Sequence, residues 1–494
     1  MKIMIKIMQF VALVLLCAGH VSAQERVELT LPEAITRARV RSVNAAVALD
    51  RLKQAYWSHR SYRASLLPEV TLEATVPAYR KQYSVYQYEN GEYGFVRNHY
   101  MDITGTLSLT QSIWATGGTV SLNTSLDYLR QLSGNRYNRF MSIPVALTLN
   151  QPIFSVNNVK WNRRIEPVRY AEAKARFISD SEEVAMTAIN YFFNLLSSRE
   201  TVEIERQNLE NAVKLHEVAR AKREMGQISG NDLLQMELNE LNARSALTEA
   251  ESDMKSHMFR LRSFLDYGED VEIIPAIPSD VPLVDIAYSD ALDKALTNNQ
   301  FALSLRRRQL EADYEVAKAR GDMRRIDLFA QIGYTGASGE VGDAYRRLKD
   351  NQVVEIGVKI PILDWGKRRG KVKTAESNRD VTASNLRLEA QNFNQDLFIL
   401  VERFNNQRRQ LEISLRADEI ARKRYETNVE TYLIGKLSTL DLNDSQVKKD
   451  ESRQAYFQAL YQYWYYFYQL RSLTLWDYTT ASPLTSDFED VIRQ

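Results

Sequence analysis

Apolar residues recur along this chain in two rhythms. In the first they step by four and three: Ala185, Ile189, Phe192 and Leu196, then Leu234, Leu238 and Leu241, then Phe393, Leu397, Leu400 and Phe404. Charged residues surround each series, which predicts helices with a narrow, coiled-coil-like seam. In the second rhythm they alternate. Val70, Leu72, Ala74 and Val76 form one run, Val145, Leu147 and Leu149 another. Val354, Ile356, Val358, Ile360 and Ile362 form a third, and Leu328 to Tyr334 a less regular fourth. Alternation of this kind predicts strands with two unlike faces.

Helix breakers set the lengths. No proline lies between Pro167 and Pro275, or between Pro361 and Pro483. From Val168 to Met225, 58 residues contain neither proline nor glycine. As one helix they span about 90 Å at 1.5 Å per residue. Such length belongs to a coiled coil, a helical repeat or a helical barrel. Helical spacing alone leaves a soluble coiled coil open.

The chain also repeats itself. Gln151-Pro152-Ile153-Phe154 falls on Ile360-Pro361-Ile362-Leu363 at an offset of 209 (361 − 152). The same offset carries Gly226 to Gly435, Ile228 to Leu437, Ser229 to Ser438, Asp232 to Asp441 and Leu233 to Leu442. At the front of each half, Glu33-Ala34-Ile35 falls on Asp290-Ala291-Leu292 at 257 (291 − 34). The first half therefore holds 48 extra residues (257 − 209), between the strand near residue 70 and the Val145 strand. Within them, Leu107-Ser108-Leu109-Thr110-Gln111 resembles Leu147-Thr148-Leu149-Asn150-Gln151. Gly117-Gly118 and the run Val120, Leu122, Thr124, Leu126 follow, which predicts an added β-hairpin. Whether that hairpin joins the wall of a barrel or is a surface elaboration stays open at this point.

Each unit thus reads as helix, hairpin, very long helix, sharp turn, very long helix. The halves run over residues 24–285 and 286–478, with a tail at 479–494. Hairpins are expected at about 68–155 and 326–363, long helices at about 160–265 and 366–475, and tip turns at 225–232 and 434–441. A few strands cannot close a barrel, and an open edge in lipid leaves backbone groups unpaired. Other copies of the chain must then complete the sheet.

Composition changes the picture in three places. Residues 1–23 read as a secretory signal: Lys2 and Lys6, an apolar run from Phe10 to Ala18, and Val21-Ser22-Ala23 at the cleavage site. Removing them leaves 62 basic (64 − 2) against 63 acidic residues, a balance without a nucleic-acid footprint. The lone cysteine, Cys17, lies inside the signal, so the remainder has no disulfide or thiol site. Lipid attachment at Cys17 is the alternative, and it asks for a small residue where Leu16 stands. No run beyond the signal reaches the roughly 18 to 20 apolar residues of a membrane-spanning helix, a test that barrel strands escape.

The repeat, the strand exits Gln151-Pro152-Ile153-Phe154 and Pro361-Ile362-Leu363-Asp364-Trp365-Gly366, and the paired turns resemble the TolC family of outer-membrane efflux proteins. The turns read Met225-Gly226-Gln227-Ile228-Ser229-Gly230-Asn231-Asp232-Leu233-Leu234 and Ile434-Gly435-Lys436-Leu437-Ser438-Thr439-Leu440-Asp441-Leu442. The resemblance covers nearly the whole chain after the signal. It implies a mainly α chain with β structure, in which three protomers share one transmembrane β-barrel and long antiparallel helical hairpins form a periplasmic α-barrel. It implies a homotrimer in the outer membrane, reaching into the periplasm. It also implies a periplasmic adaptor protein and an inner-membrane pump of RND, ABC or MFS type. The barrel would hold 12 or 18 strands (3 × 4 or 3 × 6).

The same resemblance assigns residues. Asp441 and Asp444 match two acidic positions that ring the pore, and their spacing of three puts them on one helix face. A helix-capping role for Asp441 is the other reading. Asp232 matches a position in the polar links of the closed tip, and Tyr432 matches a gate tyrosine. The family's gate arginine falls on Leu437, with Lys436 the nearest base. Gly226, Ile228, Ser229, Gly435, Leu437 and Ser438 are expected to meet the adaptor. Catalytic, cofactor and metal sites are not expected: the histidines His20, His59, His99, His216 and His257 are scattered. Trp365-Gly366-Lys367-Arg368 reads as a bend from strand to helix, and Gly336, Gly339 and Gly342 as a loop between strands. The alternative reading of the whole is a periplasmic coiled-coil scaffold without a barrel.

Overall fold

The structure, a computed structural model, describes residues 25–132, 136–282, 284–357, 364–434 and 436–493. The expected signal, Cys17, the Pro361-Ile362-Leu363 exit and Gly435 lie outside the described residues.

In chain order the elements are β1 (Glu25–Leu29), α1 (Leu31–Arg41), α2 (Val43–Ala64), β2 (Glu69–Gln87), β3 (Tyr93–Ser112), β4 (Thr119–Gln131), β5 (Asn138–Ile153), α3 (Asn158–Glu224) and α4 (Gly230–Phe264). The second half follows as β6 (Val271–Pro275), α5 (Tyr288–Asn298), α6 (Gln300–Asp322), β7 (Ile326–Ser338), α7 (Val341–Arg346), β8 (Leu348–Gly357), α8 (Lys367–Leu433) and α9 (Thr439–Thr474). The tail adds β9 (Trp476–Asp477), β10 (Ser482–Pro483) and α10 (Phe488–Arg493). At 67 residues each, α3 and α8 run for about 100 Å. No described helix is long and apolar enough to cross a membrane.

Two compact units form. One takes residues up to Lys53, Ala173–Ala302 and the chain from Gln391 onward; the other takes Gln54–Glu172 and Leu303–Ala390. Each unit draws on both sequence repeats.

The first unit is helical around a dense core. Ala185, Ile189, Phe192 and Leu196 of α3 are buried, as are Leu397, Leu400 and Phe404 of α8 and Tyr463, Phe467 and Leu470 of α9. Two of the three apolar seams are therefore internal. The third is not: Leu234, Leu238 and Leu241 of α4 are each at least half exposed. Spacing marks an apolar stripe but not its partner, and among the described residues this stripe is left uncovered. β1 pairs with β6 in parallel, and at five residues each these strands are too short to leave a clear alternating run in the sequence. Glu182 of α3, almost fully buried, accepts from Arg39 at 2.5 Å and from Arg471 at 3.1 Å, and Arg471 also reaches Asp477 at 2.6 Å.

The second unit carries one antiparallel sheet in the order β2-β3-β4-β5-β7-β8. The extra residues of the first half are thus a full hairpin within it. Between β3 and β4 the Gly117-Gly118 turn forms as expected, with Gly117 at φ +78°. On the far side, Trp365 (φ +52°) and Gly366 (φ +85°) bend the chain into α8, and Asp364 caps that helix through the Gly366 and Arg368 N–H groups. The glycine segment holds a helix as well as a loop. Gly336 lies in β7, and Gly342 in α7, whose Ala344 carbonyl leaves no room for a Cβ at Gly336.

Candidate functional site

Two places in the chain gather the candidate residues: the helix turns of the first unit and the sheet of the second. In the first turn, Gly226 sits at φ +69°, where a side chain would be strained. Its N–H bonds the Arg223 carbonyl at 3.0 Å, and the Gln227 N–H bonds the Lys222 carbonyl at 2.9 Å. These two bonds close the end of α3. Ser229 then opens α4. Its hydroxyl accepts from the Asp232 N–H at 3.2 Å, while the Asp232 carboxylate accepts from the Ser229 N–H at 3.0 Å and hydroxyl at 2.7 Å. This is a reciprocal capping box. The Ser229 hydroxyl, and after it the Ser229 N–H, hold the Asp232 carboxyl below the ordinary carboxylate range.

The second turn is built alike. The Lys436 N–H bonds the Thr431 carbonyl at 3.1 Å. Ser438 accepts from the Asp441 N–H at 3.2 Å and donates to its carboxylate at 2.6 Å. Asp232 and Asp441 thus each have a helix cap as partner. Replacing Ser229 or Ser438 with alanine is expected to cost about 1 kcal/mol of local helix stability. Amide exchange should quicken over 230–236 or 439–445 and nowhere else. The Asp232 carboxyl titrates lower in the folded state than in the unfolded one. Its share of the cap is complete above the unfolded value and lost as pH falls through the folded one.

Asp444 is different. Its carboxylate accepts from Arg424 of α8 at 2.9 Å, with both side chains half exposed. The structure therefore separates Asp441 from Asp444 by partner, although they share a helix face. Tyr432 lies beside Lys222, whose ammonium is 5.3 Å from the ring centre. Ile228 and Leu437 are half-buried, Ser229 and Ser438 exposed, and around them Met225, Ile434 and Leu440 are largely exposed.

Arg424 leaves no mark at Leu437, the position on which the family's gate arginine falls. The usable signal is mirror symmetry about the turn. Arg424 lies eleven residues before Gly435 and Asp444 nine after it, so antiparallel helices bring them level. His216 and Glu240 flank the first turn in the same way, at 2.7 Å. At the 209 offset they fall on Tyr425 and Lys449, where the ammonium lies 4.6 Å over the ring. The repeat keeps the contact and changes its chemistry. Arg424 and Asp444 fall on Leu215 and Gln235, so this ion pair belongs to one hairpin only.

In the sheet, register decides the faces. Val70, Leu109, Leu122, Leu147 and Ile332 stand side by side across β2, β3, β4, β5 and β7, each more than a third exposed. The adjacent row, on the opposite face, reads Thr110, Ser121, Thr148 and Gln331 across β3 to β7. Cross-strand bonds join Thr110 to Ser121 at 3.0 Å and Asn123 to Thr148 at 3.1 Å on that polar face. An exposed apolar face backed by a hydroxyl- and amide-lined face is the pattern of a membrane barrel strand, lipid on one side and water on the other. The sequence profile of the outer membrane efflux protein family matches residues 34–265 and 292–474. The chain belongs to that family. The two matched segments end 209 residues apart (474 − 265), the offset of the repeat.

Solved structures agree on the fold. The Campylobacter jejuni CmeC outer membrane channel superposes with a TM-score of 0.66 at 15% identity, over 94% of this chain and 88% of that one. VceC of Vibrio cholerae gives 0.63 at 14%, over 92% and 97%. The open state of the Neisseria gonorrhoeae MtrE outer membrane channel gives 0.60 at 13%, over 93% and 90%. No curated protein sequence matches significantly. As a member of an outer-membrane efflux family with this fold, the chain is an outer-membrane protein that extends into the periplasm, and its class of activity is efflux-type transport.

Proposed function

We propose that three copies of the chain close one barrel of 18 strands, six from each, and form a passive exit duct. The carrying observation is the sheet: its two faces continue from β2 to β7, and among the described residues its order ends on β2 and β8 without returning to itself. Unpaired edges are excluded from lipid, so β8 of one copy pairs with β2 of the next. A wall of 16 to 18 strands leaves an aqueous lumen rather than a packed interior. Lateral packing of helices between copies accounts for the exposed leucines of α4 and for Ile399, Ile413 and Ile420 on α8, which are exposed at steps of 14 and 7.

The duct serves a tripartite efflux pump or a type I secretion system. A periplasmic adaptor docks on the turns around Gly226, Ile228, Ser229, Gly435, Leu437 and Ser438, and Met225, Ile434 and Leu440 give it apolar purchase. The inner-membrane partner is a pump of RND, ABC or MFS type. At the turns, Asp441 and Asp444 recur three times around the axis and favour cations. The Arg424–Asp444 pair and the Lys222–Tyr432 contact hold the gate, with Asp232 and Asp441 fixing the caps. The gate opens by an iris-like movement of the helices.

Single cysteines test the wall. The only native cysteine is Cys17, so each variant carries one thiol after signal removal. A membrane-impermeant maleimide should label positions 121 and 123 of β4 and spare 120 and 122. Equal labelling of all four would leave a soluble sheet and a periplasmic scaffold.

A further inference from the structure

Above the wall, β2 and β3 keep pairing after β4 has ended. The last described β3–β4 pair is Tyr100 with Gln131, whereas β2 and β3 continue to Gln87 with Tyr93. A bulge lies just below, where register shifts between Thr75 and Ala78. It puts one extra residue into β2 and reverses which of its residues face outward. Beyond the bulge, the face continuous with Leu107, Leu109 and Leu122 is formed by Tyr79, Lys81, Tyr83 and Val85 of β2. Opposite them stand Met101, His99, Arg97 and Phe95 of β3, with Tyr128 and Arg130 of β4 alongside.

Charge is sorted across this hairpin. Lys81, Arg97, His99 and Arg130 all fall on the outward face, which holds no acid on these three strands above the bulge. Asp102 and Asp127 fall on the lumen face, where Asp102 pairs with Arg80 at 3.3 Å. Lys81 stands directly opposite His99, an arrangement that repels when both are charged. The Tyr79 hydroxyl hydrogen-bonds the His99 ring at 2.9 Å and holds it beside the lysine. Tyr83 and Phe95 are largely exposed, so they are not the core of anything within the chain.

Height fixes what meets this face. The apolar band of a barrel takes roughly 9 to 11 tilted residues, which carries β2 from Glu69 to Tyr79. Lys81 and Arg97 then lie about 5 to 10 Å above the band's edge, at 3.3 Å per residue and a tilt of about 45°. That is the depth of lipid headgroups. We infer that the outward face of the β2–β3 hairpin binds the phosphorylated sugar headgroup of an outer-leaflet glycolipid. Tyr79, Tyr83 and Phe95 lie against sugar and upper acyl chain, and Lys81, Arg97 and Arg130 pair with phosphate. This rests on the membrane-wall reading, whose own test is the cysteine labelling of β4.

The experiment uses the full-length trimer in detergent, titrated with fluorescent bisphosphorylated lipid A and with a phosphate-free analogue of identical acyl chains. Wild-type protein should bind the bisphosphorylated lipid at least tenfold more tightly than the analogue. Lys81→Glu/Arg97→Glu should remove that preference, Lys81→Gln/Arg97→Gln should reduce it, and Arg139→Glu, on the lumen face, should leave it intact. Should the reversal variant not fold, the glutamine variant carries the test. Equal affinity of wild type for the two lipids, or an unchanged preference in a folded glutamine variant, overturns the inference. So does a reversal that splits the trimer without altering lipid affinity, which would give the face to a neighbouring copy.

Discussion

Leu122→Arg is expected to stop the protein from assembling in the outer membrane. Leu122 lies between Leu109 and Leu147 in the apolar row, in the middle of the sheet. An arginine facing lipid costs about 2 to 4 kcal/mol at the bilayer midplane and less toward the edges. In the proposed barrel of three copies that cost is tripled. Ser121→Arg, one residue away, faces the lumen and pays no such cost. Outer-membrane fractions should therefore contain trimer for Ser121→Arg and almost none for Leu122→Arg, with the latter degraded or aggregated in the periplasm. Equal yields of both trimers would remove the distinction between the faces.

The second large effect lies in the helical unit. Glu182→Ala takes the shared carboxylate from Arg39 and Arg471. Breaking a buried ion pair by deleting one partner costs about 3 to 5 kcal/mol, because the other charge stays buried. Arg471 keeps Asp477 at 2.6 Å, which sets the expectation near the lower end, about 3 kcal/mol. Denaturant unfolding should show a clearly lowered midpoint. Glu182→Gln, which retains a hydrogen-bond acceptor but no charge, should fall between. A midpoint within error of wild type for the alanine variant would mean that this cluster holds nothing together.

What was legible in the sequence follows from periodicity. The long helices, the two turns, the Gly117-Gly118 hairpin and the bend at Trp365 all leave local marks, such as missing prolines, paired glycines and alternation. All six strands leave alternating runs, but whether the added hairpin joins the wall was not legible, because strand pairing is not written in the alternation of a single strand. The register of Tyr79 to Tyr100, not its composition, shows which of its residues share a face with Leu107 and Leu109. The seam at Leu234, Leu238 and Leu241 shows the opposite limit: its spacing is visible, but spacing does not say what covers it. At the turns, Ser229 with Asp232 and Ser438 with Asp441 could be read as caps from their spacing of three. Arg424 could not be found by position, since the pair it makes with Asp444 spans a turn and has no counterpart in the first repeat.

Single-channel recording of the purified trimer in planar bilayers tests the duct itself. Wild-type protein should show small, cation-selective openings that divalent cations block. Asp441→Ala/Asp444→Ala should conduct more, or lose the divalent block, and Arg424→Ala should open more often as Asp444 is released. A folded trimer that carries no current, in wild type and both variants alike, would contradict the channel.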